Sequence, residues 1–169
     1  MVMRDQLLPN LGTTLGLHEA HNYDPLKLSR PARLQGAVQD AGFPPHLLDL
    51  MGVRYLPAGS GVDAPGAREV FPIGRAPLHE RQAPMPRASV APAAVRAKTP
   101  NEALEMVMQP GFEPRTTAIL EAPSGASMPA GTGGFRPAAI REYAHQRVLV
   151  EADGGNAGGV LVLTDAYYP

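Results

Sequence analysis

The chain has 169 residues, a formal net charge of −1, and 44% hydrophobic and 18% charged residues. That length supports one ordinary domain with a buried core, or two small lobes. Its basic residues are scattered and provide no electrostatic footprint for nucleic acid, so DNA and RNA are excluded as primary partners. The absence of cysteine excludes disulfides, thiolate catalysis and cysteine-based zinc sites.

Signals for export and membrane insertion are also missing from these residues. Residues 1–12 contain Arg4, Asp5 and Pro9 and no apolar run of the kind found in a signal peptide. No window approaches the roughly 20 apolar residues that span a bilayer. We therefore expect neither a membrane span nor a signal peptide in this sequence.

Two short helices are predicted between residues 30 and 51, where apolar residues recur at about one helical turn. Pro44 and Pro45 interrupt the pattern, so two helices fit better than one. The second helix would begin at Pro45 and end at Gly52, a residue suited to a left-handed stop. Residues 53–56 then alternate in polarity and predict a short strand.

Prolines recur from residue 57 to residue 86 and leave room for only one brief extended piece, at residues 68–73. Residues 88–98 predict a strand that Pro92 interrupts. We therefore expect an irregular connector followed by a broken strand.

A helix over residues 100–109 is predicted from its start signals. Thr99 can accept a hydrogen bond as the N-cap, and Glu102 completes a capping box. Residues 116–120 are β-branched and predict a strand. Residues 122–137 are rich in Pro, Gly, Ser and Ala and predict a flexible loop.

The last two apolar runs, residues 139–152 and 159–168, are joined by a turn composition at residues 153–158 and predict a β-hairpin. The fold class is therefore predicted as α+β, with a small mixed sheet from strands near 53–56, 88–97 and 116–120 covered by the helices. A last strand without neighbours would leave an open edge, which predicts partial disorder or self-association there. The predicted organisation is a mixed α+β domain (1–121), a flexible loop (122–137) and a hairpin that begins a truncated β-sandwich (138–169).

Motifs with recognisable chemistry fail by a residue or more. His18 and His21 are three apart, whereas a zinc-binding helix needs histidines four apart. Residues 125–129 resemble half of a nucleophile elbow, but a proline replaces the closing glycine. Gly154 and Gly159 have phosphate-loop spacing without the Lys-Ser/Thr pair that follows it. We therefore predict no catalytic residue, no metal site and no cofactor.

One cluster, residues 22–26, keeps two interpretations. Tyr23 and Asp24 precede Pro25, and Asp before Pro commonly starts a turn, which favours a structural role. An aromatic ring beside a carboxylate is also suited to contact with a sugar or a lipid headgroup. On that second interpretation Tyr23 and Asp24 are candidate substrate-binding residues.

The segment LLDLMGVRY at residues 47–55 is similar to the helix-to-strand motif "LLxLLGVRYV", and further segments of the chain match motifs of the same source in the same order. Together they resemble the extracytoplasmic C-terminal region of the YfhO family of bacterial membrane proteins. The other segments resemble the "PN … GYDPL", "PRAFVV" and "LLVLSDxYYPGW" motifs of that family and the helix and strands between them. In this chain they lie at Leu8–Asn10, Gly16–Leu17, Tyr23–Leu26, Pro86–Ala88 with Val90, Asn101–Leu104, Phe112–Arg115, Leu120–Glu121, Tyr143, Arg147–Val148 and Gly159–Pro169.

The departures are Asn22 in place of a usual glycine, and Ser89 and Ala91 in place of larger residues. The resemblance implies a parent glycosyltransferase that transfers a sugar from a lipid carrier to a cell-envelope polymer. This chain would be its non-catalytic extracytoplasmic portion, with the catalytic residue elsewhere. Its implied partners are the membrane-embedded remainder of the parent, the lipid-linked sugar or the envelope polymer.

A free-standing soluble interaction module without enzymatic activity remains the alternative from another class. Such a module would also be expected to lack export signals and site motifs. A small soluble hydrolase would need a nucleophile and a base that the sequence does not indicate.

Overall fold

The computed structural model describes residues 20, 28–57, 67–73, 76–144, 146–155 and 158–165. Helices and strands both occur in them, in small sheets, which confirms the α+β class. The chain forms two compact units, Met1–Pro84 (unit 1) and Met85–Pro169 (unit 2). The domain predicted over residues 1–121 therefore spans unit 1 and part of unit 2.

Unit 1 contains the two predicted helices, α1 (Ser29–Asp40) and α2 (Pro45–Leu50). The end of α2 follows from Gly52, which has a φ of 66°. Its N–H donates to the Asp49 carbonyl at 2.9 Å, and the Val53 N–H donates to the Leu48 carbonyl at 2.9 Å. This pair of bonds is a Schellman motif, which satisfies carbonyls that the end of a helix leaves without partners.

The sheet of unit 1 consists of β1 (Tyr55–Pro57), β2 (Arg68–Ile73) and β3 (Ala76–Glu80), all antiparallel in the order β1-β3-β2. The predicted strand near 53–56 therefore does not share a sheet with the strands near 88–97 and 116–120. Strands that are close in sequence pair readily through short connections, and β3, which the density of prolines had argued against, supplies the partner.

In unit 2 the strand predicted over residues 88–98 is divided at Pro92 into β4 (Ala88–Ala91) and β5 (Ala93–Ala97). The two halves join different sheets. β5 pairs in parallel with β6 (Thr117–Glu121), and α3 (Pro100–Val107) connects them. Proline cannot donate to a sheet ladder, so a change of sheet at Pro92 leaves no backbone donor without a partner.

The start of α3 agrees with its predicted capping signal. The Glu102 N–H donates to Thr99 Oγ1 at 3.1 Å, and Glu102 Oε2 accepts from the Lys98 N–H at 2.6 Å. The Thr99 side chain thus caps the helix as predicted, whereas Glu102 accepts from the N–H of the residue before the N-cap and not from the N-cap N–H of a standard capping box. The helix prediction is confirmed, with its end at Val107.

A C-terminal hairpin is present, but its arms differ from those predicted. The run 139–152 folds back on itself as β8 (Ala139–Ala144) and β9 (Arg147–Glu151). The last strand, β10 (Val160–Leu163), instead pairs antiparallel with β4, whose other neighbour is β7 (Arg136–Pro137). The glycine-rich turn composition indicated a reversal after residue 152 and contained no information about which strand β10 would join.

Small side chains form the core between two of the three described sheets of unit 2, β10-β4-β7 and β5-β6. Ala91, Ala94 and Ala118 are buried there, and the apolar residues packed against them are Leu120, Met128, Val160 and Val162. Met128 belongs to the segment predicted as a flexible loop, which also forms a bridge between Ala130 and Ala93. Part of that segment therefore packs against the core of unit 2.

Candidate functional site

Three polar side chains from distant parts of the sequence meet in unit 2. Arg87 directly precedes β4, Asp165 follows β10, and Tyr143 lies on β8. Because β4 and β10 are antiparallel, the start of one strand lies beside the end of the other. The register of this pair, Leu163 opposite Ala88, therefore brings Arg87 and Asp165 together.

The hydrogen bonds within this cluster converge on the Asp165 carboxylate. Asp165 Oδ1 accepts from Arg87 Nη2 at 2.5 Å, and Asp165 Oδ2 accepts from the Tyr143 hydroxyl at 2.9 Å. The Arg87 guanidinium also lies over the Tyr143 ring, with its central carbon 4.5 Å from the ring centre. The cluster thus combines a charge-assisted hydrogen bond with a cation–π contact.

The side chains of Arg87 and Asp165 are 30% and 23% exposed. Partial burial opposes the charged form of Arg87, but the hydrogen bonds with Asp165 and Tyr143 outweigh it and hold the pKa of Arg87 above its usual value. Arg87 is therefore a fixed cation. Since both carboxylate oxygens and the phenol hydrogen are committed within the cluster, the arrangement suits positioning of strands better than proton transfer.

A shallow surface pocket of about 330 Å³ lies over β5 and β6 in unit 2. Its apolar lining includes Val95, Met106, Phe112 and Ile119. The polar side chain of Glu113 at its rim accepts a hydrogen bond from the Arg115 N–H at 3.0 Å. The pocket therefore presents a mainly apolar surface, and of its polar lining side chains the Thr116 hydroxyl donates to the Glu113 carbonyl at 3.0 Å.

The candidate substrate-binding residues Tyr23 and Asp24 lie outside the described residues, as do His18 and His21. Ser127, in the segment that resembles half of a nucleophile elbow, is exposed in a loop. Within the described ranges no group of three His, Asp or Glu side chains could hold a metal ion. No helix in the described part of the chain is long and apolar enough to cross a membrane.

Sequence reasoning did not assign a role to Arg87, Tyr143 or Asp165. A usable signal was present, since Arg87 and Asp165 are opposite charges that lie one and two residues outside the ends of two apolar strands. Antiparallel pairing of those strands would have predicted the ion pair. The signal was missed because the last strand was assigned to a different partner.

Comparison with known proteins provides no relative for the chain: no family model, no curated protein and no solved structure matches it.

Proposed function

We propose that this chain is the non-catalytic extracytoplasmic portion of a YfhO-like membrane protein that glycosylates cell-envelope polymers from a lipid-linked sugar donor. Its role in the parent would be to form a folded body beside the membrane and to hold substrate-contacting groups in position. Tyr23 and Asp24 are the residues proposed for that contact.

The observation that carries the proposal is the Arg87–Tyr143–Asp165 cluster. Arg87 lies in the segment that resembles "PRAFVV", and Asp165 lies in the segment that resembles "LLVLSDxYYPGW". Tyr143 is also among the residues that resemble the family. Residues from three separate resembling segments therefore meet in one cluster, which supports the interpretation of these segments as parts of one folded body.

The segment LLDLMGVRY supports the proposal in the same way. Its Asp49 is paired with the buried Arg81, with Nη1 and Oδ1 2.9 Å apart. Arg81 also donates to the carbonyl of Val53, in the same segment, at 2.8 Å. Arg54 pairs with Glu80 at 2.8 Å. The polar residues of this segment therefore fix the junction between α2 and β1.

The first test is the DNA that flanks this reading frame. We expect the open frame to extend upstream into several apolar spans of about 20 residues and downstream into a Gly-Trp continuation. Stop codons next to unrelated genes on both sides would contradict the proposal and favour the free-standing interaction module.

The second test separates substrate contact from folding in the full-length parent. Replacing Tyr23 and Asp24 together with alanine should abolish glycosylation of the envelope polymer while the abundance of the protein stays unchanged. Arg87→Met is the matched comparison, because it weakens a strand contact and should lower abundance more than activity per molecule. Normal activity per molecule with lower abundance in the Tyr23→Ala/Asp24→Ala variant would instead assign those residues to a turn.

A further inference from the structure

The connection between β9 and β10 contains the one aspartate–glycine sequence of the chain, Asp153–Gly154. Asp153, Gly154 and Gly155 are all exposed. Asp153 Oδ1 accepts a hydrogen bond from the Gly155 N–H at 2.7 Å, which makes an Asx turn. Such a turn folds the side chain back along the main chain. The carboxyl group of Asp153 is therefore held beside the peptide group that joins it to Gly154.

The guanidinium of Arg136, on β7, binds the carbonyl oxygens of the same connection. Its Nε donates to the Asp153 carbonyl at 2.8 Å, and its Nη2 donates to the Gly154 and Gly158 carbonyls at 2.8 and 3.0 Å. Its Nη1 donates to the Gly134 carbonyl at 3.3 Å. One peptide group contains both the Asp153 carbonyl and the Gly154 nitrogen, so negative charge on that nitrogen is shared with the oxygen that Arg136 binds. The guanidinium therefore stabilises the anion of this peptide group, as an oxyanion hole would.

We propose that Asp153 and Gly154 form a site of spontaneous isoaspartate formation, which Arg136 promotes. The Gly154 nitrogen gives up its proton and forms a bond with Cγ of Asp153, and the carboxyl hydroxyl leaves with a proton as water. The product is a cyclic imide. Water then adds to the former main-chain carbonyl carbon, the original peptide C–N bond breaks, and the main chain continues through Cγ. One water leaves and one is added, so the mass is unchanged and no oxidant or reductant is needed.

Glycine at residue 154 distinguishes this site from the other aspartates of the chain. Every other aspartate is followed by a larger residue, which obstructs attack by its own nitrogen. The surroundings of Gly154 are also open, since an added Cβ would meet no atom within 4 Å. Asp165, in contrast, precedes an alanine and has both carboxylate oxygens bonded, to Arg87 and Tyr143. We therefore expect Asp153 to react first.

Conversion to isoaspartate should also loosen the attachment of β10. It lengthens the main chain by one carbon atom, so the carbonyls of the connection no longer all fit around Arg136. Gly159, directly before β10, lies so close to β4 that an added Cβ would be 2.6 Å from Val90 Cγ1 and 2.7 Å from the Ala91 carbonyl oxygen. A contact this tight depends on the length of the chain that leads into it. The aged chain should therefore be less stable to urea than the fresh one.

The test follows the isoaspartate content of the folded 169-residue chain during incubation at neutral pH. Trypsin releases residues 148–169 as one peptide, which contains Asp153 and, as an internal reference, Asp165. Isoaspartate changes the elution of this peptide but not its mass, and electron-transfer fragmentation assigns its position. We expect it at residue 153, and faster in the folded chain than in the chain unfolded in guanidinium chloride, where Arg136 is no longer held at the connection.

Arg136→Met should slow the reaction about tenfold, less than the loss of a donor in a buried oxyanion hole because the connection is exposed. Arg96→Met is the matched control, since Arg96 also donates to a loop carbonyl, that of Pro123, and this change should leave the rate unaltered. Gly154→Ala should slow the reaction without removing the guanidinium.

A folded chain that forms no isoaspartate at residue 153, or forms it no faster than the unfolded chain, would overturn the proposal. This comparison needs no variant, so it decides the question even if Arg136→Met does not fold. An Arg136→Met chain that reacts as fast as the wild type or faster would also overturn it, because mobility of the connection would then set the rate. So would a Gly154→Ala chain that reacts at the wild-type rate. The reaction is independent of the function proposed above.

Discussion

Two arginine–aspartate pairs, one in each unit, differ in depth and in the number of groups they join. Arg81 and Asp49 in unit 1 have side chains that are 9% and 18% exposed, and Arg81 also donates to the carbonyls of Pro45 and Val53. The Arg87–Asp165 pair in unit 2 is closer to solvent and has a phenol as its third member. Burial raises the cost of leaving one charge without the other, so the two pairs should respond differently to the same substitution.

The largest effect is expected for Arg81→Met. This change removes the cation beside a mostly buried Asp49 and leaves two carbonyls without their donor. Loss of one partner from a buried pair costs about 3–5 kcal/mol of unfolding free energy. Urea denaturation at neutral pH measures it. The double variant Arg81→Met/Asp49→Leu should recover part of the loss, and a double variant as unstable as the single one would contradict this account.

Arg87→Met should lower the free energy of unfolding by a smaller amount, about 2 kcal/mol, because water can partly replace the lost partner of Asp165. The same denaturation experiment measures it, and Arg96→Met, on the neighbouring strand β5, is a matched control for loss of a cation. If Arg87→Met lowered the free energy of unfolding more than Arg81→Met does, burial would not determine which of the two ion pairs contributes more to stability.

Tyr143→Phe sharpens the comparison within unit 2. The ring under Arg87 is retained, and the hydrogen bonds of the hydroxyl with Asp165 and Arg87 are removed, so we expect a loss of about 1 kcal/mol. A double-mutant cycle with Arg87→Met isolates the coupling between the two side chains. A coupling of zero would mean that the phenol acts on Asp165 independently of Arg87.

The smallest effect is expected for the exposed ion pairs that Arg54 and Arg68 form with Glu80. Hydrogen bonds from Arg54 and then Arg68 hold the pKa of Glu80 below its ordinary value of 4.5. The hydrogen bonds with Glu80 therefore stabilise the folded state fully above the ordinary pKa. This stabilisation is lost as the pH falls through the lower pKa that Glu80 has in the folded state. Glu80→Gln should therefore flatten the dependence of stability on pH in the acid range, and Glu105→Gln, on α3, should not.

Local signals predicted the elements better than their partners. Pro45, Gly52 and the Thr99–Glu102 capping signal act within a few residues, so the helices followed from the sequence. Pro92 indicated an interruption, but the assignment of its two sides to different sheets depends on contacts with residues 117–121 and 160–163. Pairing across such distances leaves no local pattern.

The polar contacts were predictable to an even smaller degree. Nothing next to Arg81 in the sequence marks it as buried, because its partner Asp49 and its acceptor Val53 belong to another element. The Arg87–Asp165 pair would have followed from the correct partner of β10. Tyr23 and Asp24 stay predictions, since they lie outside the described residues.

The position of β4 in the chain has a consequence for synthesis. All four of its residues are buried, and β10, the longer of its two partner strands, is the last strand among the described residues of unit 2. The β5–α3–β6 segment can assemble from local contacts soon after it leaves the ribosome. β4 emerges earlier and must wait until nearly all of unit 2 has been translated. During that interval its apolar side chains lack the cover that β10 provides, and transiently exposed strands of this kind are prone to aggregate unless a chaperone binds them.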